Sequence, residues 1–321
     1  MSQHNTDDSQ DNLKVFIDSD GTIFEGNWET NDPAKGNGKI TQPDGLIYEG
    51  SWKEKLNHGY GCVITALGLQ YQGDWAYGYR HGYGKLILPS GCVYKGGWRY
   101  NNRHGFGTFK GKDGECYSGE WENDLFHGEG TMTYTDGYVY EGSWRYSYRH
   151  GQGCMTCKGD GSYYYGDWKW NLRHGTGVFV DSDGKYKGSW KRGEKSGFGI
   201  MEYGNKYIYK GYWQSNVKHG LGILYYPDGK YYEGDWSWNV AHGFGKVVQP
   251  DQMYFEGIWR FNQLLNIKVK FEDVEDDILQ RKSVLLPKSH HPALLRPRIN
   301  SEDHILLKAK TLKHFNQCDF R

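Results

Sequence analysis

The chain has few cysteines and prolines for its length and no long hydrophobic run. Its 321 residues include eight prolines and six cysteines, and no stretch approaches the roughly 18 consecutive apolar residues that span a bilayer. The cysteines (positions 62, 92, 116, 154, 157 and 318) follow no disulfide framework of a secreted protein, so a reduced, cytoplasmic setting is expected. The polar first twelve residues are typical neither of a signal peptide nor of a membrane anchor.

An excess of charge is also lacking, since Lys+Arg and Asp+Glu both number 39. No global field therefore attracts nucleic acid or acidic lipid, and a charged partner would have to be recognised by a local column of charge. No cofactor is expected. Gly-Lys pairs such as Gly84-Lys85 do occur, but without the strand, loop and helix of a phosphate-binding loop.

What the chain does have is a repeated phrase, Tyr-x-Gly-x-Trp followed by His-Gly-x-Gly. Aromatic residues make up 17% of the chain, and most of its 46 glycines recur in register with them. The tryptophans of the phrase are 22 to 24 residues apart: Trp28, Trp52, Trp75, Trp98, Trp121, Trp144, Trp168, Trp190, Trp213, Trp236 and Trp259. Such a fixed period is typical of a repeat architecture rather than of a globular enzyme. The nine from Trp52 to Trp236 are taken as the structural signature of the repeat.

Each repeat shows the two-residue period of a β-hairpin. Tyr48, Gly50 and Trp52 lie two apart, as do Gly59, Gly61 and Val63, so each set shares one face of a strand. The glycines of the second strand leave room for the aromatic rings between successive tryptophans, where the rings are predicted to lie flat. Asp-Gly pairs are predicted to form the turns that link one hairpin to the next.

The predicted fold is therefore all-β, an elongated, twisted, groove-shaped antiparallel sheet of about eleven stacked hairpins. The predicted organisation is a disordered tail over 1–14, an array over 15–262 with ten full repeats and an eleventh half repeat, and an extension over 263–321. This short extension is predicted to be mostly irregular or helical, with a helix near 301–315 that caps the end of the sheet.

The phrase resembles the MORN (membrane occupation and recognition nexus) repeat over about residues 20 to 262. The chain departs from it where Phe24 replaces Tyr, where Lys195-Ser196-Gly197 replaces His-Gly, and after Trp259, which no Gly-x-Gly follows. The resemblance implies a non-catalytic scaffold, similar to axonemal and sperm proteins, that binds proteins in a cytoskeletal or ciliary assembly. Only about 60 residues lie outside the array, too few for the lipid-kinase or methyltransferase domains that accompany such repeats, so no enzyme is expected.

Two motifs could suggest metal or redox chemistry. Histidines of neighbouring repeats would be roughly 10 Å apart, which is too far to share a metal, so a structural part with a ring nitrogen bonded to backbone is expected. Cys154 and Cys157 lie three apart in a predicted strand and would face opposite ways. The histidine column comprises positions 58, 81, 104, 127, 150, 174, 219 and 242.

The hairpin connections supply the candidate partner-binding site. Stacking of the repeats would align a column of cations beside a column of aromatic rings: Arg80, Arg103, Arg149, Arg173, Lys195 and Lys218, with Tyr77, Tyr100, Tyr146 and Trp170. Aromatic residues and arginine are enriched in protein interfaces, and they also suit a surface of acidic phospholipid. Alternatively, the cations stack on neighbouring rings or pair with an acidic column formed by Glu25, Glu49, Glu120, Glu141 and Glu233.

The residue inside His-Gly-x-Gly is a second candidate, because it should face away from the aromatic lining. It forms two apolar stretches: Tyr60, Tyr83 and Phe106, then Phe198, Leu221 and Phe244. Exposed apolar stripes mark surfaces that a partner covers, and the tail of the same chain is the alternative occupant.

Overall fold

A computed structural model describes residues 14–28, 35–265 and 268–271, and within these ranges the chain forms strands and turns but no helix. All of the strands belong to one antiparallel sheet. They are β1 Lys14–Ile17, β2 Ile23–Trp28, β3 Lys35–Thr41, β4 Ile47–Lys53, β5 Leu56–Ile64, β6 Gln70–Ala76, β7 Tyr79–Ile87, β8 Val93–Arg99, β9 Asn102–Lys110, β10 Cys116–Glu122, β11 Leu125–Thr133, β12 Tyr138–Arg145, β13 Tyr148–Cys157, β14 Tyr163–Lys169, β15 Leu172–Asp181, β16 Gly184–Lys191, β17 Glu194–Tyr203, β18 Ile208–Gln214, β19 Val217–Tyr225, β20 Tyr231–Ser237, β21 Val240–Val248, β22 Met253–Arg260, β23 Gln263–Leu264 and β24 Lys268–Phe271.

From β2 to β22 each strand pairs with the strand before it and the strand after it. The predicted single open sheet of stacked hairpins is confirmed. The sheet continues beyond residue 262, because β22 pairs with both β23 and β24. These two short strands lie at the start of the extension over 263–321, which was predicted to be mostly irregular or helical, and they carry no Gly-x-Gly signal. The predicted helix near 301–315 lies outside the described residues.

One face of the sheet buries its side chains although no second layer covers it within the described ranges. In β6, Tyr71, Gly73 and Trp75 are buried while Gln72 and Asp74 between them are exposed. The same alternation recurs from repeat to repeat, and we call the buried side the aromatic face and the other the back face. The predicted placement of Tyr, Gly and Trp on one face is confirmed.

The two long edges of the sheet are built from different connections. Tight two-residue loops join the strands within a hairpin, as at Tyr100 and Asn101, whose φ angles are 48° and 69°. Turns with a glycine near φ +90° join one hairpin to the next, as at Gly45, whose N–H donates to the carbonyl of Gln42 over 3.0 Å. All of the hairpin loops therefore lie along one edge, the loop edge, and all of the linking turns along the other, the turn edge.

Candidate partner-binding surfaces

The aromatic face is a continuous ladder of alternating Tyr and Trp rings. The ring of Tyr71 lies 5.1 Å from that of Trp75 and 5.3 Å from that of Trp98 in the next repeat, at 86° and 87°. Edge-to-face pairs of this kind add to the free energy of simple burial. Successive rings of the ladder therefore stand nearly perpendicular to one another. The nine signature tryptophans are all buried in this ladder: Trp52, Trp75, Trp98, Trp121, Trp144, Trp168, Trp190, Trp213 and Trp236.

Polar atoms of the ladder are paired with backbone. The hydroxyl of Tyr71 donates to the carbonyl of Asp74 over 2.9 Å, and the indole N–H of Trp75 donates to the carbonyl of Gly61 over 3.2 Å. Burial raises the pKa of the Tyr71 hydroxyl above its ordinary value. The same shift and cause hold for Tyr48, Tyr94, Tyr117, Tyr140, Tyr164, Tyr186, Tyr209 and Tyr232.

Each of the two glycines of His-Gly-x-Gly is required for a different physical reason. A Cβ on the second, Gly84, would lie 2.4 to 2.6 Å from atoms of the Tyr71 phenol, so tyrosine is the ring that covers it. The first, Gly82, has φ +60° where the pairing of β6 with β7 is shifted by a bulge. That backbone conformation favours glycine. The carboxylate of Asp74 accepts the N–H of Tyr83 over 2.8 Å beside this bulge.

The predicted cation column packs against the tryptophans of the aromatic face. The guanidinium carbon of Arg103 lies 4.2 Å from the Trp121 ring centre, and its Nε donates to the carboxylate of Asp124 over 2.8 Å. The other five cations of the column make the same ring contact: Arg80 over Trp98, Arg149 over Trp168, Arg173 over Trp190, Lys195 over Trp213 and Lys218 over Trp236. Burial lowers the pKa of Arg80, Arg173, Lys195 and Lys218.

Trp144 departs from the other tryptophans of the middle repeats, because a phenyl ring takes the place of the cation beside it. Phe126 pairs with Trp121 in the register that Arg103 has with Trp98. Its ring lies 5.4 Å from that of Trp144 at 75° and stacks on that of Tyr117 at 3.9 Å. Trp144 itself is buried, and its indole N–H donates to the carbonyl of Gly130 over 3.0 Å. The cation column is therefore interrupted at this repeat, while the aromatic ladder continues through it.

The aromatic half of the predicted site lies on the opposite, back face. Tyr100 is 62% exposed and packs edge-on against His81, with ring centres 5.4 Å apart. Tyr77 meets His58 in the same way, Tyr146 meets His127, and Trp170 meets His150. The cations and rings of the predicted site are thus separated by the thickness of the sheet.

The histidines take part in these ring contacts more than in backbone hydrogen bonds. His58 Nδ1 accepts the N–H of Tyr77 over a long 3.5 Å. The Nδ1 atoms of His81, His104 and His150 are buried without a hydrogen-bond partner among the described residues. The pKa of His150 is lowered by burial and by the neighbouring cations Arg145 and Lys169.

A second set of cations, exposed and outside the predicted column, lies beside the exposed rings. The residue directly after each repeat tryptophan points to the back face, opposite to the tryptophan itself. Arg145 lies 5.5 Å from the ring of Tyr146, and Arg99 lies 6.0 Å from that of Tyr100. Alternation along the strand could have identified these cations.

The predicted apolar stripe inside His-Gly-x-Gly is exposed on the back face. Tyr60, Tyr83 and Phe106 of three consecutive repeats are 58%, 55% and 62% exposed. Leu221 and Phe244 are exposed as well, whereas Phe198 is half-buried against Tyr212. We call the stripe together with the exposed loop aromatics Tyr77, Tyr100, Tyr146 and Trp170 the back aromatic surface.

A hollow of about 460 Å³ opens on the aromatic face around Tyr134, Arg149, Phe179 and Arg173. Burial raises the pKa of the Cys154 thiol, which disfavours the reactive thiolate. Across the described ranges, no group of three or more His, Cys, Asp or Glu side chains could hold a metal ion. The described residues also include no helix long and apolar enough to cross a membrane.

Comparison with known proteins agrees with this geometry. The MORN repeat family profile matches nine segments: 48–64, 71–93, 94–116, 117–137, 140–161, 164–185, 186–206, 209–231 and 232–254. The matches cover more than half of the chain, which therefore belongs to the MORN repeat family. No relative with a curated description matches it.

Solved structures give only distant similarity. The TCP domain of SAS-4 from Drosophila melanogaster, in complex with a proline-rich motif, matches at 9% identity and a TM-score of 0.31, over 59% of this chain and 97% of that one. An inactive virginiamycin B lyase from Staphylococcus aureus matches at 10% identity and a TM-score of 0.14, over 83% and 87%.

Proposed function

We propose that the chain is a non-catalytic scaffold that binds protein partners along the back aromatic surface, in a ciliary or other cytoskeletal assembly. The observation that supports this is the exposure of Tyr60, Tyr83 and Phe106 in three successive repeats. Their strands already have a full aromatic core on the other face, so these rings do not serve the fold. Adjacent exposed aromatic residues mark protein-binding surfaces.

The loop aromatics add to this surface. Tyr100, Tyr146 and Trp170 have φ angles of 48°, 51° and 51°. Asn, Asp or Gly adopt such angles with less strain than a bulky aromatic residue. Strained backbone beneath an exposed ring supports a functional reason for the ring. The cytoskeletal location rests on the resemblance to axonemal and sperm proteins.

The test is affinity purification of the full chain from ciliated or germ-line cells, with quantitative mass spectrometry. The variant Tyr60→Thr, Tyr83→Thr, Phe106→Thr replaces the rings with a residue that also favours strands. It is expected to capture structural proteins about tenfold less or lower still, since aromatic anchors are each worth about 1 kcal/mol or more. The matched control Glu129→Thr, Gln152→Thr changes the same position in two polar repeats and should capture partners normally. Equal capture by the aromatic variant and the wild type would reject the surface.

A second candidate function is binding to acidic phospholipid, which the exposed Arg99–Tyr100 and Arg145–Tyr146 pairs support. Exposed rings and cations that lie next to each other on one face of a protein suit binding to the head-group layer of a membrane. Co-sedimentation with phosphatidic-acid vesicles would compare the wild type with Arg99→Glu, Arg145→Glu, Lys169→Glu. Arg103, Arg149 and Arg173 are poorer choices because they stack on tryptophans. Wild-type protein left in the supernatant would exclude this function.

A further inference from the structure

The zero net charge of the chain conceals two edges of opposite sign. The loop edge, taken as the five residues after each tryptophan from Trp52 to Trp259, has fourteen cations against four carboxylates. The cations are Lys53, Lys55, Arg80, Arg99, Arg103, Arg145, Arg149, Lys169, Arg173, Lys191, Arg192, Lys195, Lys218 and Arg260, and the carboxylates are Glu54, Glu122, Asp124 and Glu194.

The turn edge has the reverse balance. Its eleven described turns contain ten carboxylates against four lysines. The carboxylates are Asp18, Asp20, Asp44, Asp113, Glu115, Asp136, Asp160, Asp183, Asp228 and Asp251, and the lysines are Lys112, Lys158, Lys206 and Lys230.

The length of the strands keeps the charges of the loop edge from interacting strongly with those of the turn edge. Strands of seven to ten residues, such as β6 and β13, hold the edges roughly 20 to 30 Å apart at about 3.3 Å per residue. Charges more than a Debye length apart, about 8 Å at physiological ionic strength, are largely screened from one another. Each edge therefore presents its own field to whatever lies beside it.

The two edges also share one spacing. Loops and turns alternate along the chain, so both recur every two strands, roughly 9.6 Å apart along the sheet. Between Arg99 and Arg192 the loop edge has four basic loops and one acidic loop, which contains Glu122 and Asp124, and these lie at the same level of the array as the acidic turns between Asp113 and Asp183. A second copy lying alongside in the same direction would bring these two segments face to face.

We propose that copies of this chain associate side by side, with the loop edge of one copy against the turn edge of the next. A net charge of zero favours such association because it removes the overall repulsion between copies. The contact joins two different surfaces, so the assembly keeps a free turn edge at one end and a free loop edge at the other, and it grows without closing. This contact is separate from partner binding on the back aromatic surface.

Both edges offer charges that can be changed without disturbing the core. Arg99, Arg145, Lys169 and Lys191 are exposed and do not belong to the tryptophan-stacking column. On the turn edge, the Asp136 and Asp160 carboxylates accept the N–H groups of the residues two further on, over 3.2 and 2.9 Å. Asparagine keeps that acceptor while it removes the charge.

The experiment is sedimentation velocity of the full chain across a concentration series, at about 10 mM and about 1 M salt, where the Debye length is about 30 Å and about 3 Å. A loop-edge variant would combine Arg99→Glu, Arg145→Glu, Lys169→Glu and Lys191→Glu. A turn-edge variant would combine Asp113→Asn, Asp136→Asn, Asp160→Asn and Asp183→Asn. The control reverses exposed lysines in the middle of strands, with the same change in net charge as the loop-edge variant: Lys85→Glu, Lys95→Glu, Lys187→Glu and Lys210→Glu.

At low salt the wild type and the control are expected to form a concentration-dependent series of oligomers that high salt dissolves. Each edge variant alone should weaken association at least about tenfold, and their mixture should stop at a one-to-one dimer, because only one productive pair of edges remains. A monomeric wild type at low salt, a loop-edge variant that assembles like the control, or a mixture without the dimer would each overturn the proposal. Circular dichroism melting confirms that all variants are folded.

Discussion

At the scale of single residues, the array depends on a close contact between one tyrosine ring and one glycine in each repeat. The Tyr71 ring is fully buried although a single sheet surrounds it. It is enclosed by Trp75 and Trp98, by the Arg80 guanidinium 5.7 Å away, and by the backbone of Gly84 beneath it. A further carbon on Gly84 would lie only 2.4 to 2.6 Å from atoms of this buried ring, so the ring would have to move.

Gly84→Ala is therefore expected to destabilise the array by about 1 to 3 kcal/mol, because overpacking of a rigid site costs that much. Gly204→Ala is the matched control, since its Cβ would have no neighbour closer than 3.8 Å and its backbone is not left-handed. That control should be neutral or slightly stabilising. Urea denaturation followed by tryptophan fluorescence measures both, and equal midpoints would contradict the ring-over-glycine account.

The sequence alone predicts part of this residue-scale picture. Tyr, Gly and Trp at a spacing of two predict a shared face, which the structure confirms. Which ring covers the glycine does not follow from spacing, because it depends on the stagger between neighbouring strands. The placement of Arg103 could have been predicted, since a two-residue loop pairs it with Trp98 and so brings both to one face. The two-residue loop of the next hairpin likewise pairs Phe126 with Trp121, and from there the Phe126 ring contacts Trp144 of the following repeat.

At the scale of elements, the hairpin loops bond to one another along the loop edge. The N–H of Asn101 donates to the Arg80 carbonyl over 3.0 Å, and its side-chain oxygen accepts the Arg80 N–H over 2.8 Å. This link joins one hairpin to the next outside the strand ladder. Asn216, Asn239 and Asn262 accept the equivalent backbone N–H groups in later repeats.

Asn101→Ala should cost about 2 kcal/mol, because alanine strains a backbone with φ of 69° and also lacks the acceptor. Asn101→Gly should cost only about 1 kcal/mol, since glycine adopts that angle and loses the hydrogen bond alone. Asn102→Ala, one residue further on, is the control. Hydrogen exchange of the Arg80 amide reports the link directly, and equal protection in Asn101→Ala and wild type would count against it.

The division of the loop residues between two faces explains why the predicted cation–aromatic column does not exist as one patch. Tyr100 belongs to the loop itself and turns toward His81 on the back face, whereas Arg103 has re-entered the strand opposite Trp98. The two residues are only three apart in the sequence, but the two-residue loop reverses the chain between them. The first loop residue is left-handed, and an aromatic residue at that position gives no sequence signal of this conformation.

At the scale of the whole molecule, the aromatic ladder couples stability to alkaline pH. Nine buried tyrosines have pKa values raised by burial above their ordinary value near 10. In the folded chain they keep their protons at a pH where the unfolded chain releases them. Their contribution to stability is therefore complete below about pH 10 and is lost as the pH rises toward the folded values.

The loss should be steep because the nine groups act together. At about pH 11 each tyrosine that stays protonated only in the folded state removes about 1.4 kcal/mol, and the sum is comparable to the stability of an ordinary domain, about 5 to 15 kcal/mol. Thermal melting followed by circular dichroism should show a constant midpoint up to about pH 9.5 and a sharp fall above it. Tyr71→Phe with Tyr94→Phe should be less stable at neutral pH, because two hydroxyl donors to backbone are lost. The same variant should have a shallower alkaline fall, since two ionisable groups are gone. Ladder tyrosines that ionise near pH 10 while the sheet remains folded would show that their burial does not govern the stability of the array.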